Sequence, residues 1–300
     1  MTKSVTVRVP GKVNVYLGVG PREFSGYHEL ATIFQAVGIY DEVTVSAADS
    51  LTISGRGAFA DRIPTDETNL AWKAAELVAR ACGEEPNVHI QIDKSIPIAA
   101  GMAGGSADAA ATIVAIDYLY SLGMSREEMA DIAAKLGSDV PFMLNGGTAI
   151  GTGHGDQLTS ALSRGTYHWV LALSTHGLST PAVYAECDRL RTGLEIVEPQ
   201  TNEALMQALL AADSQSVGAH LVNDLQPAAC SLRPALRLVL DVGQEYGALG
   251  ALVSGSGPTV AFLVADEEAG LDLTVALTSS GVVGSVVRAY GPVAGAKVIS

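Results

Sequence analysis

Aromatic residues make up only 5% of this 300-residue chain and charged residues only 17%, while hydrophobic residues reach 48%. So few rings leave the core to Ala, Val, Leu and Ile, and so large an apolar share excludes a disordered chain. Cysteine is scarce as well. Cys82, Cys187 and Cys230 are odd in number, far apart and without CxxC or CxxxH spacing. That fits reduced core thiols better than a disulfide scaffold or a zinc site. Basic residues are also few, 18 Lys and Arg against 32 Asp and Glu, for a formal net charge of −14. Nucleic-acid-coating proteins need a basic surface, so no nucleic-acid partner is expected. A small anion remains possible, because helix N-termini and one or two lysines can hold a phosphate. No uncharged apolar run approaches the ~18 residues of a membrane span. The opening MTKSVTVRVPGKVNVYLG alternates rather than forming an apolar leader, so a cytoplasmic protein without a membrane partner is expected.

Three hundred residues suit one large domain or two ordinary ones. Residues 5–9 and 12–17 alternate with period two around Pro10-Gly11 and predict two strands or one bent strand. Strand-like patterns recur over 31–54 and 87–98. Residues 66–83 predict a helix that Thr68 or Asn69 caps and Gly83 ends. Residues 125–137 predict another, with Ser125 and Glu128 in a capping box. The stretch 138–156, SDVPFMLNGGTAIGTGHGD, reads as loop with strand pieces. A weak boundary falls near 160, beyond which helices (201–218, 233–247, 271–281) interleave with strands (250–265, 284–291). Without a strict βαβ rhythm, the expectation is an α+β protein of two domains, 1–160 and 161–300.

The most informative stretch is PIAAGMAGGSADAAATIVAI, residues 97–116, in which Gly101, Gly104, Gly105 and Ser106 precede a long apolar run. Glycine lets backbone N–H groups converge on a ligand, and a helix N-terminus leaves several donors unpaired. Together they make an anion cradle, although an ordinary Gly-rich turn has the same composition. The loop is not GxxxxGK[ST], since no lysine follows Gly105, nor a Rossmann GxGxxG after a first strand. A phosphate here would rest on main-chain donors and a metal ion, with a lysine from elsewhere.

Two polar groups stand out beside the loop. Lys12, Asn14 and Tyr16 share one face of a strand whose other face is Val13, Val15 and Leu17, so they line a site or a solvated sheet face. Asp139 follows a helix-ending glycine and precedes Val140-Pro141, where an aspartate commonly bonds its own backbone in a turn. The strand–turn–strand SGSGPT, 254–259, reads as a tight hairpin.

PIAAGMAGGSADAA, VPGKVNVYLGV and GALVSGSGPTVAFLV, taken together and in this order, resemble the superfamily of galactokinase, homoserine, mevalonate and phosphomevalonate kinases. SGYHEL and LGSDVPFML resemble one branch of it in particular. That branch uses ATP to phosphorylate the 2-hydroxyl of a cytidine diphosphate-linked methylerythritol, in the non-mevalonate route to isoprenoids. The resemblance implies an N-terminal ribosomal-protein-S5-domain-2-like domain and a C-terminal ferredoxin-like α/β sandwich. It implies Lys12 and Asp139 as catalytic residues. For ATP it implies Pro97, Ile98, Ala99, Ala100, Gly101, Met102, Ala103, Gly104, Gly105, Ser106 and Ala107 around the phosphates, with Lys94 and Asn69 near the adenosine. Lys94 equally suits a surface lysine at a strand end, and Asp108 a partner of the helix dipole. For the acceptor it implies Asn14, Tyr27, His28, Thr180 and Tyr184, with Tyr27 and His28 suited to stacking on and hydrogen bonding a pyrimidine. Loop 254–259 would close on the site from the second domain. Mg²⁺ is implied with ATP, its ligands unassigned, and a monomer or a homodimer is equally compatible. Ala99, Ala103 and Ala107 depart from the usual glycines or serine, so a positive φ at 103 is less expected than in relatives. A homoserine or mevalonate-type kinase would keep the loop and Lys12 but have no use for Tyr27, His28 and Tyr184. A non-catalytic nucleotide-binding module would need neither Lys12 nor Asp139.

Overall fold

The computed structural model describes residues 3–174 and 176–300. The first half runs β1 (Ser4–Arg22), β2 (His28–Ala47), β3 (Thr52–Gly57), α1 (Leu70–Cys82), β4 (Val88–Lys94), α2 (Gly104–Tyr120), α3 (Arg126–Leu136), α4 (Val140–Asn145), β5 (Thr148–Thr152) and β6 (Gln157–Ser160). The second runs β7 (Tyr167–Leu173), α5 (Thr180–Leu190), α6 (Glu203–Ala211), α7 (Ser214–Ala219), β8 (Val222–Asn223), α8 (Gln226–Leu232), α9 (Ala235–Glu245), β9 (Gly250–Val253), β10 (Val260–Val264), α10 (Glu267–Ser280), β11 (Ser285–Gly291) and β12 (Lys297–Val298).

Local signals set most of these elements. β1 is one strand, and the Pro10-Gly11 break is a register shift against β2 rather than a chain reversal. Asn69 caps α1 by accepting from the Ala71 amide at 2.8 Å, and Gly83 ends it in the left-handed region. Ser125 and Glu128 form the expected capping box of α3. The stretch from 138 departs from its reading as loop and strand, because residues 140–145 form α4. Pro141 sits in its first turn, where proline's missing N–H costs no helical bond. The helix expected over 201–218 is two, because Ala212 turns left-handed between α6 and α7.

Among the described residues the strands make two sheets. The larger, of eight strands, has the path β12-β1-β2-β4-β3, with β5 on β2, β6 on β5 and β8 on β1. The smaller is antiparallel with order β11-β7-β10-β9. Numbered along the chain that order is 4-1-3-2, a ferredoxin-like sandwich when α9 and α10 cover one face. The other face is covered by the first half, and β7 shows why. Its odd residues Tyr167, Trp169, Leu171 and Leu173 enter the core of the larger sheet, while Val170 and Ala172 enter the core beneath α9 and α10. Trp169 donates to Gln35 of β2 at 2.8 Å across that seam. Position 160 ends β6, but β8 and β12 return to pair with β1, so the second half completes the first half's sheet. α2 runs through the middle, buried on nearly every side by alanine and isoleucine packed against α1, β1 and β2. Its N-terminus is thereby aimed at the gap between the halves.

Candidate active site

A cavity of about 1170 Å³ occupies that gap. One wall is the glycine loop. Ala99, Gly101 and Ala103 all have positive φ (52°, 77° and 57°), alternating with residues that do not. Such alternation turns successive N–H groups toward one concavity. Alanine at φ > 0 costs on the order of 1–2 kcal/mol, so the lower expectation at Ala103 is overturned by the packing that holds the loop. Lys12 N–H donates to Met102 O at 3.3 Å, Ser254 Oγ to Gly101 O at 3.0 Å, and Thr259 N–H to Ala100 O at 3.3 Å. α2 has no side-chain N-cap, so the amides of Gly104, Gly105 and Ser106 keep no helical acceptor and open on the cavity. A Cβ on Gly101 would lie 1.9 Å from Ser254 O. Gly101→Ala is therefore expected to lose more than about 1 kcal/mol of stability and to raise KM for nucleotide, as thermal melts and initial rates would read. An unchanged melting temperature and KM would contradict this packing.

Behind the loop, Lys94 is 1% exposed, which rules out the strand-end surface lysine. Its ammonium lies 2.6 Å from Asp41 and 2.5 Å from Asp108, and donates to Gly104 O at 2.9 Å. Asp41 also accepts the Ser95 and Ile96 amides at 2.7 and 2.8 Å. The cluster ties β2, β4 and the start of α2 into one support. Burial raises the Asp108 pKa to about 8 against the pull of Lys94. Burial alone would lower the pKa of Lys94, but Asp108 and Asp41 outweigh it and raise it. Asp108, expected as a dipole partner, is thus the lysine's partner.

Lys12 and Asn14 sit at the bottom of the cavity, both buried. The hydrogen bonds there have a fixed direction. Thr32 hydroxyl donates to Tyr16 O (2.7 Å), so its oxygen accepts from the Asn14 amide (2.8 Å), and Asn14 Oδ1 is left to accept from Lys12 (2.5 Å). Asp139 Oδ2 stands 3.9 Å from Lys12 Nζ. Burial lowers the Lys12 pKa, and Asp139 opposes that. Asp139 precedes α4 without using its carboxylate as a cap, so the turn-type bond is not made and the group faces the cavity.

The far end is aromatic. Tyr27 is 64% exposed, with its ring 5.1 Å from that of His154. His28 is buried, its ring 5.1 Å from Tyr184 and its Nε2 2.8 Å from Asp188. The Tyr184 pKa is pushed up to about 12 by burial, then by Asp139 and Cys187. Thr180 bonds Ser256 of the 254–259 loop at 2.8 Å. That loop is both the expected hairpin, with Ser254 N–H on Thr259 O, and a wall of the cavity through Gly255 and Ser256.

The cavity thus gathers Lys12, Asn14, Tyr27, His28, Ala99, Ala100, Gly101, Ala103, Gly104, Gly105, Ser106, Asp139, Thr180 and Tyr184. Pro97, Ile98, Met102 and Ala107 do not line it; Met102 and Ala107 are buried in the core and Ile98 packs against that core. Asn69 is occupied with capping and with Pro64 O, although its neighbour Leu70 lines the cavity. The sequence reading missed Arg22, Thr32, His154 and Asp188 in the lining, whereas Ser256 lies in the loop expected to close on the site. For Asp188 the signal was available: Thr180, Tyr184 and Asp188 are four apart and share one face of α5. Thr32 and His154 carried no such periodic mark. Among the described residues no cluster of three or more His, Cys, Asp or Glu could hold a metal ion, and no helix is long and apolar enough to cross a membrane.

An uncapped helix behind a glycine loop, facing a lysine–carboxylate pair across two interlocked sheets, defines a small-molecule kinase of the GHMP class. The descriptions "GHMP kinases N terminal domain" and "GHMP kinases C terminal" match residues 69–147 and 205–282. Relatives from Mycolicibacterium gilvum and from Mycobacterium tuberculosis (strain ATCC 25618 / H37Rv), both named 4-diphosphocytidyl-2-C-methyl-D-erythritol kinase, are 54% identical. The alignments cover 99% and 100% of this chain and 94% of each relative. A crystal structure of 4-(cytidine 5'-diphospho)-2C-methyl-D-erythritol kinase superimposes with a TM-score of 0.78 at 30% identity, over 95% of this chain and 98% of that one. The chain belongs to the 4-diphosphocytidyl-2-C-methyl-D-erythritol kinase family.

Proposed function

We propose that the chain transfers the γ-phosphoryl group of ATP to the 2-hydroxyl of 4-(cytidine 5'-diphospho)-2-C-methyl-D-erythritol, giving the 2-phosphate and ADP in the non-mevalonate isoprenoid pathway. One observation carries this: the free amides of α2, the Lys12–Asp139 pair and the ring cluster of Tyr27, His28 and Tyr184 face the same cavity. A homoserine or mevalonate-type acceptor has no ring for those aromatics to hold.

The triphosphate lies against the amides of residues 99–106, where helix dipole and N–H donors meet its charge. Its γ-phosphorus faces Lys12. Asp139 accepts the proton of the attacking hydroxyl, or orients it where the transition state is loose. Lys12, held by Asn14 and neighbouring Asp139, stabilises the negative charge passing between alcohol and phosphate oxygens. Mg²⁺ supplies charge neutralisation on the phosphates. It takes hard oxygen ligands and needs no dedicated carboxylate cage, and at that wall the Ser106 hydroxyl would help to hold it. Tyr27 and Tyr184 flank the cytosine, and His28 reads its edge.

The assay that tests this is ADP release with the cytidine-bearing alcohol, with homoserine, with mevalonate, and with no acceptor. Release only with the first supports the assignment; release only with another reassigns the acceptor, and none with any overturns the kinase. Tyr27→Ala is expected to weaken acceptor binding by about 1–3 kcal/mol, seen as a raised acceptor KM with kcat and ATP KM nearly unchanged. An unchanged acceptor KM would remove Tyr27 from the base site.

A further inference from the structure

We infer that Asp188 is a positioning residue that fixes His28 as a hydrogen-bond acceptor for the exocyclic amino group of cytosine, so that this end of the cavity selects cytidine over uridine. The inference rests on the function proposed above and adds to it the origin of base selectivity.

His28 Nε2 lies 2.8 Å from Asp188 Oδ1. A carboxylate accepts and does not donate, so the hydrogen of a neutral imidazole must sit on Nε2. Nδ1 then carries a lone pair. It has no protein partner among the described residues, and it is not one of the sealed unpartnered atoms, so it opens on the cavity that His28 lines. The ring cannot readily turn to offer its other edge. His28 is 7% exposed, and Tyr184 packs against it at a centroid distance of 5.1 Å and an angle of 33°. Tyr184 and Asp188 are one turn apart on α5, so one helix face supplies both the packing and the acceptor. The second Asp188 oxygen faces Arg22 Nε at 3.8 Å, leaving Oδ1 to His28.

An acceptor at Nδ1 matches the N4 amino group of cytosine. Uracil presents O4 at the same place, and two lone pairs then face one another with neither satisfied. A merely structural Asp188, tying the start of β2 to α5, would affect stability but leave the choice of base alone.

The test compares the cytidine-linked acceptor with its uridine counterpart by kcat/KM, in the native chain, Asp188→Ala and Asp188→Asn. The native chain is expected to prefer cytidine by about 10- to 100-fold. In Asp188→Ala the preference should fall to within about threefold, through the acceptor KM and with ATP KM unchanged. Asp188→Asn should keep most of it, because the amide oxygen still accepts from Nε2. A cytidine preference undiminished in Asp188→Ala would overturn the inference. The ¹⁵N NMR spectrum of His28 in the free native chain reads the tautomer without any turnover. Hydrogen on Nε2 is expected, and hydrogen on Nδ1, or on both nitrogens, near neutral pH would also overturn it. Should the native chain phosphorylate neither nucleotide, the proposed function fails, and the spectrum still decides the role of Asp188.

Discussion

Asp139→Asn should lower kcat by about 100-fold or more while leaving KM for ATP within about twofold. Asparagine keeps the shape of the side chain and one acceptor oxygen, so the hydroxyl can still be oriented. It loses the basicity that takes up the hydroxyl proton and the charge that faces Lys12 at 3.9 Å. The second loss has its own signature. Burial lowers the Lys12 pKa and Asp139 raises it, so removing the carboxylate leaves burial unopposed. The alkaline limb of the pH–rate profile, where Lys12 gives up its proton, should therefore begin at lower pH in Asp139→Asn than in the native chain. Because α2 and its loop are untouched, nucleotide affinity has no reason to change. Near-normal turnover would remove Asp139 from the chemistry, and a large rise in ATP KM would mean that it serves the nucleotide instead.

The second large effect is on stability. Lys94→Met should cost about 3–5 kcal/mol, because it removes the buried ammonium that Asp41, Asp108 and the Gly104 carbonyl all bond and leaves the Asp41 charge without its cation. Denaturant unfolding would measure this, and a loss below about 1 kcal/mol would show that the cluster is not the support of the loop. Asp108→Asn should behave differently. The Asp108 pKa is raised from 3.8 to about 8 in the folded chain, so the native state holds a proton that the unfolded chain has released. Its contribution to stability is fully present below the unfolded value and is lost as pH rises through the folded one. Asparagine cannot titrate. The difference in unfolding free energy between Asp108→Asn and the native chain should therefore grow in favour of the variant from about pH 4 to about pH 8. A difference that stays flat with pH would contradict the raised pKa.

Those three variants bear on residues that the sequence exposed to very different degrees. Lys12 and Asn14, polar and two apart on an otherwise valine-rich strand, were visible by period alone, as were the Gly101–Ser106 loop and the helix behind it. The caps at Asn69, Gly83, Ser125 and Glu128 were visible because capping is local chemistry. What could not be read is what depends on contacts between distant segments. Lys94 and Asp108 lie on a strand and a helix whose spacing says nothing about Asp41, the third member of their cluster. The positive φ of Ala103 is imposed by bonds from Lys12, Ser254 and Thr259 to the loop, against the residue's own preference. α4, at six residues, is too short to show a helical period. β8 and β12 are two residues each, paired with β1 only because the second half of the chain is already docked there. Asp188 lies between these extremes: its spacing from Tyr184 was legible, but its partner His28 is 160 positions away.

The most direct test of the account is a crystal structure with a non-hydrolysable ATP analogue and 4-(cytidine 5'-diphospho)-2-C-methyl-D-erythritol both bound. The predicted result has the phosphates against the backbone of residues 99–106, the 2-hydroxyl within hydrogen-bond distance of Asp139, and the cytosine between Tyr27 and Tyr184 with its amino group on His28. Phosphates lodged away from that loop, or a 2-hydroxyl out of reach of both Lys12 and Asp139, would contradict it.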